Sequence, residues 1–300
     1  MNNIYKSILH PDRILPYMKA NYPALRDFQS LQESITEEID FRRSRVCIIS
    51  FPKAGRTWLR VLLGKLIQDA YGVTDPNVQC FLNHQLTARA GIRPIHINHD
   101  GIQPFARTGG ETTNSKKRYA SKKVLLIVRD VRDIMVSYYY HILKRYQIYD
   151  RPISEFIRSE RFGVIKPVSF YKSWYDNQHI PREFLLVRYE DLHLDVDKTT
   201  QKIVSFLELD KVTNRQIVDA IAFSSFENMQ KLENSGKYQV DALSLQGDIQ
   251  DINSRKVRKG KIGGYSEELN QNDLDYIDEI MQQINGPRDW LYYTNQPTMK

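Results

Sequence analysis

The sequence predicts an α/β fold, a single domain with a central parallel sheet and helices on both faces. Two observations carry that expectation. Three short apolar runs, Arg45 to Ser50 (RVCIIS), Lys123 to Val128 (KVLLIV) and Phe184 to Val187 (FLLV), each end in a polar turn, as strands buried on both faces do. Segments with helical spacing follow the runs, and alternating strands and helices build a parallel sheet.

Each element has its own signal. After the first run, Trp58, Leu62, Leu63, Leu66 and Ile67 line one face of a helix that should end near Gly72. Ile203, Val204 and Leu207 mark a later helix in the same way. Thr108 to Ser121 (TGGETTNSKKRYAS) is rich in Gly, Thr, Ser and Lys and reads as a surface loop. A second loop is expected from Glu233 to Arg255, broken by Asn234, Gly236, Gly247, Asn253 and Ser254, in a position where long loops serve as lids. No internal repeat or linker is evident, so residues 1–300 read as one domain, with 1–44 as a peripheral extension.

With 300 residues, 41% hydrophobic and 26% charged, the chain can bury a full core. Its 43 basic and 36 acidic residues give a net charge of +7, which suits an anionic ligand without naming one. Cys47 and Cys80 are too few for a disulfide framework, and Cys47, inside an apolar run, should pack as a small hydrophobe. The N-terminal stretch has no long apolar run and is interrupted by Pro11 and Pro16. A cytoplasmic protein without membrane insertion is the resulting expectation.

The strongest local signal follows the first strand: Phe51-Pro52-Lys53-Ala54-Gly55-Arg56-Thr57-Trp58-Leu59 turns sharply from strand into helix. Backbone N–H groups in a helix's first turn have no internal partner, so an anion placed there collects several hydrogen bonds. Lys53 adds a full charge, Gly55 lets the backbone come close and Thr57 offers a hydroxyl. The G-x-x-x-x-G-K-[ST] order is absent, which argues against a P-loop kinase.

This segment resembles the 5′-phosphosulfate loop, P-K-[SA]-G-[TR]-T-W, of sulfotransferases that use 3′-phosphoadenosine 5′-phosphosulfate (PAPS). Downstream, Val128-Arg129-Asp130 through Ser137-Tyr138-Tyr139-Tyr140 is similar to the family's 3′-phosphate segment, with Arg129 after a strand and Ser137 eight positions later. Ser254 to Tyr265 (SRKVRKGKIGGY) resembles the late R-K-G-x-x-G segment, with Arg258, Lys259 and Gly260 in the matching places. Five cations within seven residues are either a solvated face or a polyanion clamp, and beside the other two motifs the clamp reading is favoured. Gly264 and Tyr265 stand where Asp and Trp are usual. Phe226, in an S-F-x-x-M-like segment, Trp58, and Tyr189, in Y-E-D-L, match the residues around adenine, where stacking is worth about 1–3 kcal/mol.

The resemblance runs in order from Cys47 to Tyr265 and implies an α/β domain with a P-loop-like phosphosulfate-binding loop after the first core strand. It implies in-line sulfuryl transfer from PAPS, leaving 3′-phosphoadenosine 5′-phosphate (PAP), to a hydroxyl or amine of a small molecule. Arg56, Ala54 and the motif residues above would hold the donor. His99, in a K-T-H-like segment (Ile95-His96-Ile97-Asn98-His99), matches the general base, with His96 and Asp100 left open as sharers of that role. Lys53 would neutralise the leaving group, with Ser137 near it. Ile97 occupies the place of a Lys, so another basic residue must supply that charge. No metal is expected: His96 and His99 alone do not make a zinc site.

Two other readings compete. A nucleotide-binding P-loop protein lacks its Walker residues here, and a basic module binding nucleic acid through Lys116 to Arg118 and Arg255 to Lys261 would leave the ordered motifs unexplained. The acceptor is expected to be a secondary metabolite or similar small molecule, with a carbohydrate or lipid head group as the alternative. Its pocket is expected from His84 to Phe105 and Tyr139 to Phe170. No dimerisation signature shows in Ser266 to Ile284, and the oligomeric state stays open.

Overall fold

Strands β1 (Val46–Ser50), β2 (Ile95–Asn98), β3 (Lys123–Val128) and β4 (Glu183–Arg188) form one sheet in the order β2-β1-β3-β4, with every pairing parallel. The computed structural model describes residues 35–74, 81–101, 115–235 and 251–293. The chain divides at Ser44 and Arg45 into two units. In the first, residues 35–43 are helical; the second holds the sheet and every other element named here.

Every residue of β1 and β3 is buried. Since successive side chains point to opposite faces, both faces of the central strands are covered, and that is why these runs are apolar without alternation. The three expected strands are present, with the third extended to Glu183 and Arg188. Strand β2 was not among them. It is an edge strand of four residues in which His96 and Asn98 interrupt the apolar pattern, so no apolar run marks it.

Helix α1 (Arg56–Ala70) buries Leu59, Leu62, Leu63, Leu66 and Ile67, while Trp58 from the expected apolar face is only half-buried. It closes just before Gly72, whose φ is 64°. Helix α2 (His84–Arg89) leads into β2. Helix α3 (Val131–Tyr140) runs into a π-helical turn, His141–Tyr146, a distortion that recurs at functional sites. Further along come α4 (Ile153–Arg158), α5 (Ile165–Asn177), α6 (Tyr189–Leu194), α7 (Val196–Phe206), α8 (Asn214–Phe223), α9 (Phe226–Asn234), α10 (Gln271–Gln283) and α11 (Arg288–Leu291). Among the described residues no helix is long and apolar enough to cross a membrane.

From β1 the chain crosses to β2 on one side, then returns to build β3 and β4 on the other. Connections that leave β1 and β3 in opposite senses open a crevice at the carboxyl ends of these strands, where α/β proteins bind ligands. The turn Phe51 to Gly55 and the pair Arg129-Asp130 therefore come together at one place.

One expectation needs correction. Of the surface loop read at Thr108 to Ser121, residues 108–114 lie outside the described residues, but Lys116 and Tyr119 are buried. Lys116 Nζ lies 2.5 Å from Asp100 Oδ2, the Tyr119 hydroxyl donates to Asp100 Oδ1 at 2.7 Å, and the ammonium sits 4.9 Å from the Trp174 ring centre. Composition concealed this, because a lysine in a polar stretch shows no sign of its buried partner. Lys116 thus belongs to no exposed nucleic-acid patch. Replacing Lys116 by Met leaves Asp100 a buried carboxylate without its cation and should lower unfolding free energy by about 3–5 kcal/mol in a urea titration. The second expected loop is likewise shorter than read: Glu233 is buried in the last turn of α9 and Ile252–Ser254 form a 3₁₀ turn, while residues 236–250 lie outside the described residues, as does Cys80. Cys47 is fully buried, as its apolar setting implied.

Candidate active site

The turn after β1 is shaped for close approach. Lys53 has φ 71° and Gly55 φ 98°, so two residues of the turn hold the left-handed region. A Cβ at Gly55 would lie 2.4 Å from Tyr189 Cδ2, which makes glycine obligatory there. No side chain caps the N-terminus of α1, and its first-turn N–H groups face the crevice end of β1. Gly55→Ala should cost about 1–2 kcal/mol in backbone strain, plus about 1–3 kcal/mol for displacing Tyr189, visible as a lowered Tm.

Arg129, just past β3, ties three segments together. Its guanidinium donates to the carbonyls of Lys53 at 3.3 Å and Lys261 at 3.2 Å, reaches Asp133 at 3.7 Å and stacks 4.1 Å from the Tyr189 ring centre. Its buried Nε has no partner, an arrangement that asks for an acceptor. Ser137, two turns along α3, lines the same cavity but makes no hydrogen bond to Lys53.

His99 Nδ1 lies 2.6 Å from the Ser50 carbonyl. A carbonyl only accepts, so Nδ1 carries the proton and Nε2 keeps its lone pair. Burial, followed by the positive charge of Arg56, holds the imidazole well below the ordinary histidine pKa, and it stays neutral. The alternatives are engaged elsewhere: His96 Nε2 meets the Asn98 amide at 2.9 Å, and Asp100 is held by Lys116 and Tyr119. Neither lines the cavity.

The basic segment closes the other side. Arg258 pairs with Glu268 at 3.3 Å and stacks over Tyr140, Lys259 reaches Glu267 and Glu268 at 2.9 Å each, and Lys261 pairs with Glu267. These two glutamates, beyond the motif, answer the repulsion among the cations. Asp133 accepts from the N–H groups of Gly263 and Tyr265 at 2.9 and 3.0 Å and so pins this segment to α3. Burial, as the largest influence, raises the Asp133 pKa. Tyr265, standing where Trp is usual, lies under Arg132 at 4.1 Å. Gly260 lies against Phe226, where a Cβ would come within 2.4 Å of ring atom Cδ2.

All of this surrounds one cavity of about 590 Å³. Of the residues matched to the donor site, the base and Lys53, all line it except Ala54, whose side chain is buried, leaving only its backbone at the turn, while His96 and Asp100 stand outside it. The aromatic wall is Trp58, Tyr189 and His193, with ring centres 4.7 to 5.8 Å apart. Burial lowers the His193 pKa to about 4, so this ring too is neutral.

Sequence reasoning gave no individual role to several polar lining residues, although His141 and Tyr146 fall within the stretch expected to supply the acceptor pocket. His193 follows Tyr189 by one helical turn and could have been found from that spacing. Lys256 lies two positions before the matched Arg258, within the basic run. His141 and Tyr146 sit at the two ends of the π-helical turn, their rings 4.8 Å apart, and no sequence signal announces that turn. The buried Nδ1 of His141 has no partner, and burial together with the Lys53 charge depresses its pKa.

Known proteins resemble this chain in sequence and fold. The chain is 25% identical over 283 residues to human (Homo sapiens) sulfotransferase 2A1, covering 87% of this chain and 91% of that protein. Over 271 residues it is 21% identical to flavonol 3-sulfotransferase of Flaveria bidentis, covering 80% and 81% of the two chains. The fold superimposes on retinol dehydratase, crystallised with androsterone and the inactive cofactor PAP, with a TM-score of 0.56, 18% identity and coverage of 84% and 83%. The family model described as "Sulfotransferase domain" matches residues 113–291. That stretch is more than half the chain and contains Arg129, Ser137, Tyr189 and the basic segment, and it shows that the chain belongs to the sulfotransferase domain family.

Proposed function

We propose that the protein transfers a sulfuryl group from PAPS to a hydroxyl or amine of a small molecule, with His99 as general base. The observation that carries this reading is the convergence, around one cavity, of an uncapped helix N-terminus with Lys53, the partnerless Nε of Arg129, and a neutral His99 whose Nε2 is free to accept a proton. PAPS, when bound, supplies an activated sulfuryl group on a phosphate.

The residues divide that work. The α1 N-terminus, with Gly55, Arg56, Thr57 and the Ala54 backbone, receives the phosphosulfate end, and Lys53 neutralises charge on the leaving oxygen. Arg129 and Ser137, with Arg258, Lys259 and Gly260, receive the 3′-phosphate. Trp58, Tyr189 and Phe226 supply faces for adenine. His99 Nε2 takes the acceptor proton, while the Ser50 carbonyl fixes the tautomer that leaves Nε2 unprotonated. The names of the relatives, sulfotransferase 2A1 and flavonol 3-sulfotransferase, support a small-molecule acceptor, and the cytosolic sulfotransferase 12 of Arabidopsis thaliana supports a cytoplasmic setting.

A thermal-shift titration of the full chain with PAP beside ATP tests the donor assignment. At a hundredfold excess over Kd a ligand stabilises by about 2.7 kcal/mol, a rise of about 4 °C in Tm for a domain of this size. Selective stabilisation by PAP is expected. Equal shifts with ATP, or none, would return the nucleotide-binding reading to first place.

A further inference from the structure

The transfer centre lacks one cation that the sequence motif led us to expect, because position 97 is Ile97 on β2. A replacement is in the cavity. Lys256 lines it together with Lys53 and His99. Its charge is the strongest electrostatic influence lowering Lys53, and it also acts on His99 and His141. The charges that act most on Lys256 are Arg145, Arg56, Glu233 and Arg60. Lys256 thus shares one cavity with the base and with Lys53.

The backbone, rather than the side chain, holds Lys256 in place. Glu233, fully buried, accepts from Lys256 N at 2.6 Å and Val257 N at 3.0 Å, and meets Arg145 at 3.4 Å. Arg145 in turn donates to the Ser254 carbonyl at 3.3 Å. With the glutamate committed to these groups, the Lys256 ammonium makes no hydrogen bond or ion pair to a described residue. A desolvated cation without an anion is unfavourable by itself, and burial lowers its pKa to about 8. An anion arriving beside it would raise that pKa again and hold the ammonium charged.

We propose that Lys256 donates to a non-bridging oxygen of the transferring sulfuryl group, taking the part of the cation absent at position 97. This assignment rests on the sulfuryl-transfer reading above. In the step, the acceptor O–S bond forms as the bond from sulfur to the bridging phosphate oxygen breaks. The acceptor proton goes to His99 Nε2 and the electron pair stays on the phosphate of departing PAP. Lys53 answers charge on the bridging oxygen and Lys256 charge on the sulfuryl oxygens.

Calorimetric titration of the full chain with PAP and, without acceptor, with PAPS separates this role from a structural one, because only PAPS carries the sulfuryl group. Lys256→Met should bind PAP within twofold of wild type, bind PAPS at least tenfold more weakly and lose at least a hundredfold in kcat, with Lys256→Arg recovering most of the PAPS affinity. Equal losses for PAP and PAPS would overturn the assignment, since Lys256 would then be holding the nucleotide or the segment. Unchanged PAPS affinity and turnover would overturn it too. A wild-type chain that binds neither nucleotide would instead remove the sulfuryl-transfer reading on which it rests.

Discussion

His99→Ala should lower kcat by about 10²- to 10⁴-fold, the range general base catalysis supplies, while PAP affinity stays at the wild-type value. The separation follows from geometry: the imidazole is anchored to the Ser50 carbonyl through Nδ1, and the residues proposed to hold the nucleotide belong to other segments. Rapid-quench turnover beside PAP titration reads both quantities. Retained turnover would move the base elsewhere, and His141, neutral and partnerless at Nδ1 in the same cavity, would then be tested first. His96 and Asp100 are weaker successors, since both are bonded away from the cavity. The wild-type pH profile adds a check with a definite sign. Because the folded pKa of His99 is depressed, the base stays deprotonated at neutral pH, and the acid limb of kcat/KM should fall well below pH 6.5.

Arg129→Ala should abolish the PAP-specific thermal shift while leaving weak, equal responses to PAP and ATP. Two losses combine. A charge-assisted bond to the 3′-phosphate is worth about 1.5–3 kcal/mol, or roughly 10- to 150-fold in Kd. The guanidinium also bonds the carbonyls of Lys53 and Lys261, so its removal loosens the turn after β1 and the basic segment together. Arg129→Lys keeps the charge but cannot present a fork to both carbonyls and a phosphate. It should therefore recover only part of the shift, and full recovery would show that charge alone is read at this position.

Much of the site is local and so was legible in the chain. Strands β1 and β3 announce themselves because burial on both faces demands unbroken apolar runs, and the turn Pro52-Lys53-Ala54-Gly55 announces itself because a glycine at a strand-to-helix turn lets the backbone come close, whereas the left-handed φ of Lys53 has no sequence signal. The order of Lys53, Arg129 and Arg258 along the sequence pointed to a shared anion site before any distance was known. Edge strand β2 was not legible, having four residues and an interrupted pattern, nor was the π-helical turn that places His141 in the cavity. Lys116 and Lys256 show the same limit. Both sit in basic stretches that composition assigns to solvent, yet one is buried against Asp100 and the other faces the cavity with its backbone held by Glu233. Apolar periodicity and turn chemistry depend on neighbours within a few positions, so the chain alone specified three of the four strands and the anion-binding turn, and the resemblance of its motifs pointed to the family. The environment of a charged side chain depends on groups many residues away, and only the tertiary structure decided which cations are neutralised, which histidine keeps a free lone pair, and which lysine shares its cavity.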